Sequence, residues 1–469
     1  MIIYSHFTGA DGSVKSPYID NLAASGLILN RHYSAWMCTP TRASIMTGRY
    51  PISLGIQHDV FQPYTTECLD TTQHLLPEVV KSNGYATHMV GKWHLGYARW
   101  DCFPCRRGFD SWLGYTQGFI EYINHEVFDY VDFMECSDDP VQGLQYKTLE
   151  ALNGTYSMYV YEERAKDIIE AHNDDKPLFL YLTLQSPHLP YYAPYELTQD
   201  CEDVANGLQR CVVQGMVRAI EIVMEGVINK LKSKGMWENT LLIWHSDNGG
   251  PDTGFNSNLP LRGFKQYLWE GGVRNPAFVY SPSEKIMPNR GTSNSLIHVS
   301  DWFDTIISVS GGWDNWMTTG HVWPNDLDSI DQTRHILYGE EGLRRSVMLH
   351  IDPVNKIAGY IRGDYKLLIG DQSNAATCSS SEFYPLDIEC LDMSIIQLYN
   401  LIEDPGEITD LYEDKQDLAN EMIDDLLKYL SHQMPMQCQL PTDSSGNPNT
   451  EVPWYLPWDS DSLEYKIQT

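Results

Sequence analysis

The sequence predicts an α/β protein: a mostly parallel sheet sandwiched by helices, followed by a smaller α+β domain with an antiparallel sheet. Three observations lead there. Helical and extended patterns alternate from about residue 71 to residue 245. Two of the extended stretches, 177–184 and 240–245, are near-continuous apolar runs, as expected of strands buried on both faces. Past about residue 335 the alternation gives way to shorter extended pieces. A chain of 469 residues also exceeds what one ordinary core organises. Two domains are therefore expected, 1–335 and 336–469.

Residues 1–16 show no clear period. Residues 17–25 read as a short helix begun by Pro17 and stopped by Gly26, and 27–33 as a strand. Cys38-Thr39-Pro40-Thr41-Arg42 then opens an apolar-periodic helix that Gly48 closes, with Pro40 tolerated in the first turn. Cys38 thus lies at a helix N-terminus, where free N–H groups favour an anion, and Arg42 follows one turn later on the same face. Residues 71–82 have helical spacing at Leu75, Leu76, Val79 and Val80, and 85–92 follow as a strand. Lys92 and His94, two apart at its end, would share one face of extended backbone.

Residues 156–172 and 211–234 are amphipathic helices, each leading towards one of the apolar strands. His188 falls just past the first of these strands; Asp247 and Asn248 fall past the second. Ligands of parallel sheets gather at the carboxyl ends of strands. Lys92, His94, His188, Asp247 and Asn248 should therefore converge. In the second domain 358–361 and 365–369 look extended and about 418–431 helical. The tail from Pro441 reads as irregular, with Trp454 and Trp458 as its anchors.

The formal net charge of −31 excludes nucleic acid and anionic membranes as natural partners. A local cluster of Arg, Lys and metal can still reverse the field at one site, so a small anionic substrate stays open. The apolar runs are too short for a transmembrane helix. Ten cysteines are many for a cytosolic enzyme. Yet the start, Met1-Ile2-Ile3-Tyr4-Ser5-His6, has neither the basic region nor the long apolar core of a signal peptide.

Singly, the candidates have ordinary readings: a buried structural Cys, a strand-end His, a surface Lys, an Asp-Asn-Gly-Gly turn. Their order changes that. The stretch 38–51 resembles the signature of the type I sulfatases, with Thr41 where the family has Ser, so a hydroxyl is kept. Gly91-Lys92-Trp93-His94-Leu95-Gly96, Arg106-Arg107-Gly108-Phe109-Asp110, Ser186-Pro187-His188 and Ser246-Asp247-Asn248-Gly249-Gly250 also follow the family's order. Leu261-Arg262-Gly263-Phe264-Lys265 and Trp269-Glu270-Gly271-Gly272-Val273-Arg274 continue it. The likeness covers nearly the whole chain and is closest to the arylsulfatase B type, the N-acetylgalactosamine-4-sulfatases.

The resemblance implies a sulfatase/alkaline-phosphatase-like fold and a sulfuric ester hydrolase acting on sulfated glycans or aryl sulfates. It implies that Cys38 is oxidised to formylglycine by the formylglycine-generating enzyme, and that the aldehyde hydrate attacks sulfur. Arg42 and Lys92 would hold the hydrate and the sulfate oxygens. His94 would take the proton of the second hydroxyl. His188 and Lys265 would bind the ester and protonate the leaving oxygen. Residue 38, Asp247 and Asn248 would bind Ca²⁺. It also pairs Cys68 with Cys102, and suggests a lysosomal or secreted protein with a sequon at Asn153-Gly154-Thr155.

One departure stands out. The family supplies two further metal carboxylates as an Asp-Asp pair ending its first strand. Here only Asp11 and Asp20 lie in that region, neither in such a pair, and no apolar strand precedes them. The first strand, half the metal shell and the true N-terminus are therefore expected to be missing. Of the other cysteines, Cys201–Cys211 and Cys378–Cys390 are pairs by proximity, Cys105–Cys136 is a guess, and Cys438 is left over. The CxxC spacing of Cys102 and Cys105 lacks a redox context. Two other functions compete with a sulfatase: a phosphodiesterase or phosphonate hydrolase of the same superfold, and a glycan-binding relative that has lost its metal and its activity.

Overall fold

The computed structural model describes residues 14–430 apart from 64, 129, 140–142, 200–206, 323, 325, 374–382 and 385–387, together with 436–437. Asp11, Cys201, Cys378, Cys438, Trp454 and Trp458 lie outside the described residues.

Helix α1 (Pro17–Ser25), strands β1 (Leu27–Leu29) and β2 (His32–Tyr33) and helix α2 (Cys38–Thr47) come first. The stretch 27–33 is thus two short strands, and they join different sheets. Helix α3 (Leu76–Ser82) is only the second half of the helix expected over 71–82. Pro77 is tolerated in its first turn, and the Glu78 carboxylate accepts the Leu75 N–H to complete the start. Strands β3 (Ala86–Lys92) and β4 (Ser111–Tyr115) follow, then the antiparallel pairs β5 (Glu126–Val127) with β6 (Tyr130–Val131) and β7 (Met134–Asp139) with β8 (Gly143–Thr148).

Helix α4 (Ser157–Ala171) leads to β9 (Leu178–Thr183), and helix α5 (Gly207–Ser233) to β10 (Leu242–His245). Helix α6 (Glu270–Val273), strands β11 (Ala277–Tyr280), β12 (Gly291–Ser293) and β13 (Ile297–His298) and helices α7 (Asp301–Val309), α8 (Asp314–Thr318) and α9 (Thr333–Tyr338) complete the larger part. The C-terminal part holds β14 (Ser346–Asp352), β15 (Ile357–Arg362), β16 (Tyr365–Ile369), β17 (Phe383–Tyr384), β18 (Ile396–Asn400), α10 (Gln416–Leu430) and β19 (Met436–Gln437).

The C-terminal part is built on a four-stranded antiparallel sheet ordered β14-β15-β16-β18. In the larger part, β3 pairs in parallel with both β4 and β9, and β7 and β8 extend this sheet antiparallel. A second sheet runs β10-β11-β1-β12. Both sheets share the same two covering layers. Leu178, Leu180, Leu182, Leu242 and Trp244 pack towards the cluster of α4 and α5. Phe179, Tyr181, Leu241 and Ile243 pack towards α2, α3 and α7. Burial of apolar side chains against both layers is the main stabilising term.

The two apolar strands expected to be fully buried are not. Five of six residues of β9 and all four of β10 are half-buried, whereas Met89 and Val90 of the neighbouring β3 are fully buried. The reason lies between the sheets: β9 and β10 line one cavity of 1460 Å³ instead of packing strand against strand. Cys68–Cys102 and Cys105–Cys136 are disulfides, which separates the two cysteines of the CxxC spacing into different bridges.

Buried ion pairs hold the C-terminal sheet to the rest. Lys366 on β16 lies 3.0 Å from Glu270 of α6 and 2.8 Å from Glu407. Tyr33 donates to the same Glu270. His58 contacts Asp352 of β14 at 2.7 Å. No helix among the described residues is long and apolar enough to cross a membrane.

Candidate active site

Every catalytic or metal-binding residue named from the sequence lines that cavity. Cys38, Arg42, Lys92, His94, His188, Asp247, Asn248 and Lys265 all line it. The centre is Cys38, in the first turn of a helix whose ten residues are all buried. Gly48 ends that helix in the left-handed region at φ 68°, where a side chain would be strained and its Cβ would meet the Phe303 ring at 2.7 Å. The Cys38 Sγ lies 3.4 Å from Asn248 Oδ1 and 3.4 Å from Lys265 Nζ. Burial pushes this thiol up, but Lys265 and Lys92 outweigh burial and hold it well below the ordinary thiol range.

Arg42, one turn on, ties two strand ends together. Its Nη1 donates to the Lys92 carbonyl at 2.6 Å and its Nη2 pairs with the Asp247 carboxylate at 3.5 Å. The two lysines differ. Burial, with Arg42 nearby, lowers Lys92 to about 8. Lys265 is also pushed down by burial, but facing Cys38 and Asp247 leaves it raised overall, so it stays cationic.

The histidines differ in their proton positions. His94 was expected on extended backbone beside Lys92; instead it turns out of the strand at φ 55°. A non-glycine residue there costs about 1–3 kcal/mol and persists only when held. Thr39 holds it, donating through Oγ1 to the His94 carbonyl at 3.0 Å, while His94 Nε2 meets the Phe61 carbonyl at 3.1 Å. That carbonyl can only accept, so Nε2 carries the hydrogen and Nδ1 is left basic. Nδ1 has no hydrogen-bond partner among the described residues. Burial and Lys92 lower His94 to about 4, so it is neutral in mild acid.

In His188 the pattern is reversed. Nδ1 donates to the Leu189 carbonyl at 2.8 Å, and Nε2 faces Lys265 Nζ at 3.3 Å. Since an ammonium only donates, Nε2 is the acceptor. Burial, Lys92 and Lys265 lower His188. An anionic ester arriving between these cations would offset them and favour the protonated ring.

The contacts that support this arrangement were not read from the sequence. Phe119 stacks on the His188 ring at 6.4 Å and 11°, and the Tyr122 hydroxyl donates to the His188 carbonyl at 2.9 Å. Asn258 accepts from the Gly250 N–H and donates to the Gly263 carbonyl, joining the Asp247 loop to the Lys265 loop. Gly249 must be glycine, since a Cβ there would lie 1.9 Å from the Gly271 carbonyl. Thr41, the departure from the signature, donates through Oγ1 to the Asp247 carbonyl at 2.8 Å. That hydroxyl fastens the Asp247 loop to α2. Thr41 and Gly249 fall within motifs quoted from the sequence, though without these roles; Phe119, Tyr122 and Asn258 fall within none.

Comparisons with known proteins give the family and the fold. The sulfatase family model matches residues 6–312. The chain belongs to the sulfatase family. It is 32% identical to arylsulfatase J of Mus musculus over 483 residues, covering 96% of this chain and 77% of that protein. It is 30% identical to N-acetylgalactosamine-6-sulfatase of Canis lupus familiaris over 318 residues, covering 64% of this chain and 58% of that protein. A crystal structure of Ps i-CgsB in complex with k-i-k-neocarrahexaose superposes with a TM-score of 0.76 at 23% identity, covering 93% of this chain and 92% of that one, which shows the shared fold.

The sulfatase family typically uses Ca²⁺ and formylglycine. The described residues offer a cation few donors. Asp247 and Asn248 bring one carboxylate and one amide oxygen, and the carboxylate already faces Arg42. Ca²⁺ takes 6–8 oxygens. No group of three or more His, Cys, Asp or Glu suited to a metal occurs among the described residues. Asp20 does not help, since it sits in α1 and accepts from Ser16. The described donor set therefore does not fit a complete Ca²⁺ shell.

Proposed function

We propose that this pocket hydrolyses sulfate monoesters of sulfated sugars, with N-acetylgalactosamine 4-sulfate, the arylsulfatase B type of substrate, as the first to test. The observation that carries this is the convergence of Arg42, Lys92 and Lys265 on residue 38, flanked by two histidines whose free nitrogens are set for opposite proton transfers. Three cations answer the spread charge of a sulfuryl group. Converted to formylglycine, residue 38 would supply a hydroxyl nucleophile and a second hydroxyl for release of sulfate. Lys92 and Lys265 hold the sulfuryl oxygens. His94 accepts a proton at Nδ1. His188, protonated when the anionic ester binds, donates from Nε2 to the leaving oxygen, and the Leu189 carbonyl keeps its other nitrogen fixed.

A lysosomal or secreted setting belongs to the same proposal. Two disulfides and the exposed sequon at Asn153 support it. The test is to express the full chain with the formylglycine-generating enzyme, locate the aldehyde by peptide mass spectrometry, and assay 4-nitrophenyl sulfate and N-acetylgalactosamine 4-sulfate beside phosphate and phosphonate esters. Thiol alone at Cys38, or faster turnover of the phosphorus esters, would sink the proposal. The short donor set favours one second reading, a glycan-binding relative without catalysis. Saturable binding of the sulfated sugar with no hydrolysis, aldehyde present, would select it.

A further inference from the structure

Beyond His188 the pocket has an aromatic wall, built by residues 116–132. One carboxylate clamps the ends of this segment together. Asp132 is fully buried and accepts from the Thr116 N–H at 2.9 Å, the Thr116 hydroxyl at 2.9 Å and the Gln117 N–H at 2.8 Å. A buried carboxylate satisfied in this way is a rigid anchor. Between its ends the segment touches both histidines. Gly118 lies against His94, where a Cβ would come to 3.0 Å from ring Cε1. Phe119 lies parallel to the His188 ring, and Tyr122 holds the His188 carbonyl. The β5–β6 hairpin then brings Phe128 edge-on to Phe119, with ring centres 6.1 Å apart at 76°.

Phe128 does not suit the turn it occupies. It lies in the two-residue connection between Val127 and Tyr130, at φ 48°. A bulky aromatic residue is strained there, and hairpin turns of this length favour glycine, asparagine or aspartate. Burial does not offset the strain, since Phe128 is 55% exposed. Strain of this kind clusters where a side chain serves a ligand.

The direction out of the site passes these rings. Cys38 is buried, His188 and Phe119 are half-buried, and Phe128 is exposed. Lys265 Nζ lies 3.4 Å from Cys38 Sγ and 3.3 Å from His188 Nε2. A leaving oxygen that takes its proton from Nε2 therefore carries its own group outward along Phe119. Leu189 and Leu259, both exposed, also line the cavity. Its cations are elsewhere. Arg42, Lys92 and Lys265 surround residue 38, Arg274 is held by Glu270 and Asn30, and Lys176 and Lys234 lie towards the amino end of β9. Asp59, Gln62, Asn256 and Ser257 add polar groups to the lining, which a sugar's hydroxyls can meet and an aryl ring cannot.

We propose that Phe119 and Phe128 form the leaving-group subsite, and that it takes one uncharged pyranose packed through its C–H face. This assignment rests on the sulfate-ester reading of the site and names what that ester is attached to. Phe119 is the inner part of the platform and Phe128 its outer edge. Asp132 fixes the platform before the ligand arrives.

The test measures equilibrium binding to the full chain carrying Cys38→Ala, so that esters bind without turnover. The probes are N-acetylgalactosamine 4-sulfate, its 4,6-disulfate, 4-nitrophenyl sulfate and methyl sulfate, titrated by calorimetry. The 4-sulfate should bind at least roughly ten-fold tighter than methyl sulfate, which has no ring. Adding Phe128→Asn should weaken the 4-sulfate by about three- to ten-fold and leave methyl sulfate unchanged, whereas Phe128→Tyr keeps the affinity. Asparagine suits the backbone at this position, so the urea midpoint should not fall. The disulfate should bind no tighter than the 4-sulfate. An unchanged affinity for the 4-sulfate in Phe128→Asn, or an equal loss for methyl sulfate, would overturn the subsite while leaving the sulfate site intact. A loss confined to 4-nitrophenyl sulfate would overturn the sugar, and tighter binding of the disulfate would overturn the uncharged ring. A lower urea midpoint would show that the turn keeps Phe128 for folding, and would overturn the argument from strain. Failure of every ester to bind, methyl sulfate included, would strike the sulfate reading itself and this assignment with it.

Discussion

Replacing Lys265 with methionine isolates the electrostatics of the site. Lys265 Nζ lies 3.4 Å from Cys38 Sγ; Cys38 is buried and Lys265 half-buried. A unit charge at about that distance contributes about 4 kcal/mol at an effective dielectric of about 20. Each 1.4 kcal/mol is a factor of ten, so the thiolate population in mild acid should fall by up to about a thousand-fold. Lys92 remains, which keeps part of the depression, so a loss of at least roughly ten-fold is the firm expectation. The assay needs no turnover. The chain is made without the formylglycine-generating enzyme, and alkylation of Cys38 by iodoacetamide is followed by peptide mass spectrometry across pH. The wild-type thiol should react in acid and the Lys265→Met thiol only at higher pH, while Lys265→Arg stays close to wild type. If all three react alike, Lys265 does not set the charge of residue 38, and the account of the cationic cradle is wrong.

Three further outcomes are expected. Thr41→Val should cost about 1–3 kcal/mol, because it strands the part-buried Asp247 carbonyl, and Thr41→Ser should recover most of it; urea denaturation decides, with equal midpoints for the two variants refuting the role given to the hydroxyl. In the active form, kcat/KM should be bell-shaped and acidic: it falls below about 4 as His94 gains a proton, and falls again as pH rises through the lowered His188 value, where the acid is lost. A His94→Ala variant that keeps the same acid limb would remove His94 from the base role. Lys366→Met leaves Glu270 and Glu407 buried without their shared cation and should destabilise the fold by about 3–5 kcal/mol; a loss under about 1 kcal/mol in chemical denaturation would mean that water reaches the cluster.

Much of the site was legible before any coordinates. The helices expected over 156–172 and 211–234, found as Ser157–Ala171 and Gly207–Ser233, and the apolar strands after them follow from side-chain pattern, and pattern is local. Lys92 and His188 converge because the parallel strands β3 and β9 deliver their carboxyl ends to one side of a sheet, and Arg42 ties Asp247, at the end of β10 in the second sheet, to the same place. The same reasoning misjudged His94. Two residues apart on a strand share a face, but Thr39 and the Phe61 carbonyl, both distant in sequence, hold His94 at φ 55°.

The sequence by itself determined the kinds of element, their order, and which chemical groups meet at Cys38. These depend on short-range periodicity and on motifs read along the chain. Only the tertiary structure decided the proton positions on the two histidines, since each is set by one backbone carbonyl, and the opposite balances of Lys92 and Lys265, since burial competes there with neighbours from other strands. It alone decided the state of β9 and β10. Their apolar composition calls for cover on every side, and helices α5 and α7 supply two of those sides. Whether a strand edge is paired depends on what lies beside it in space, and no property of residues 178–183 or 242–245 records that.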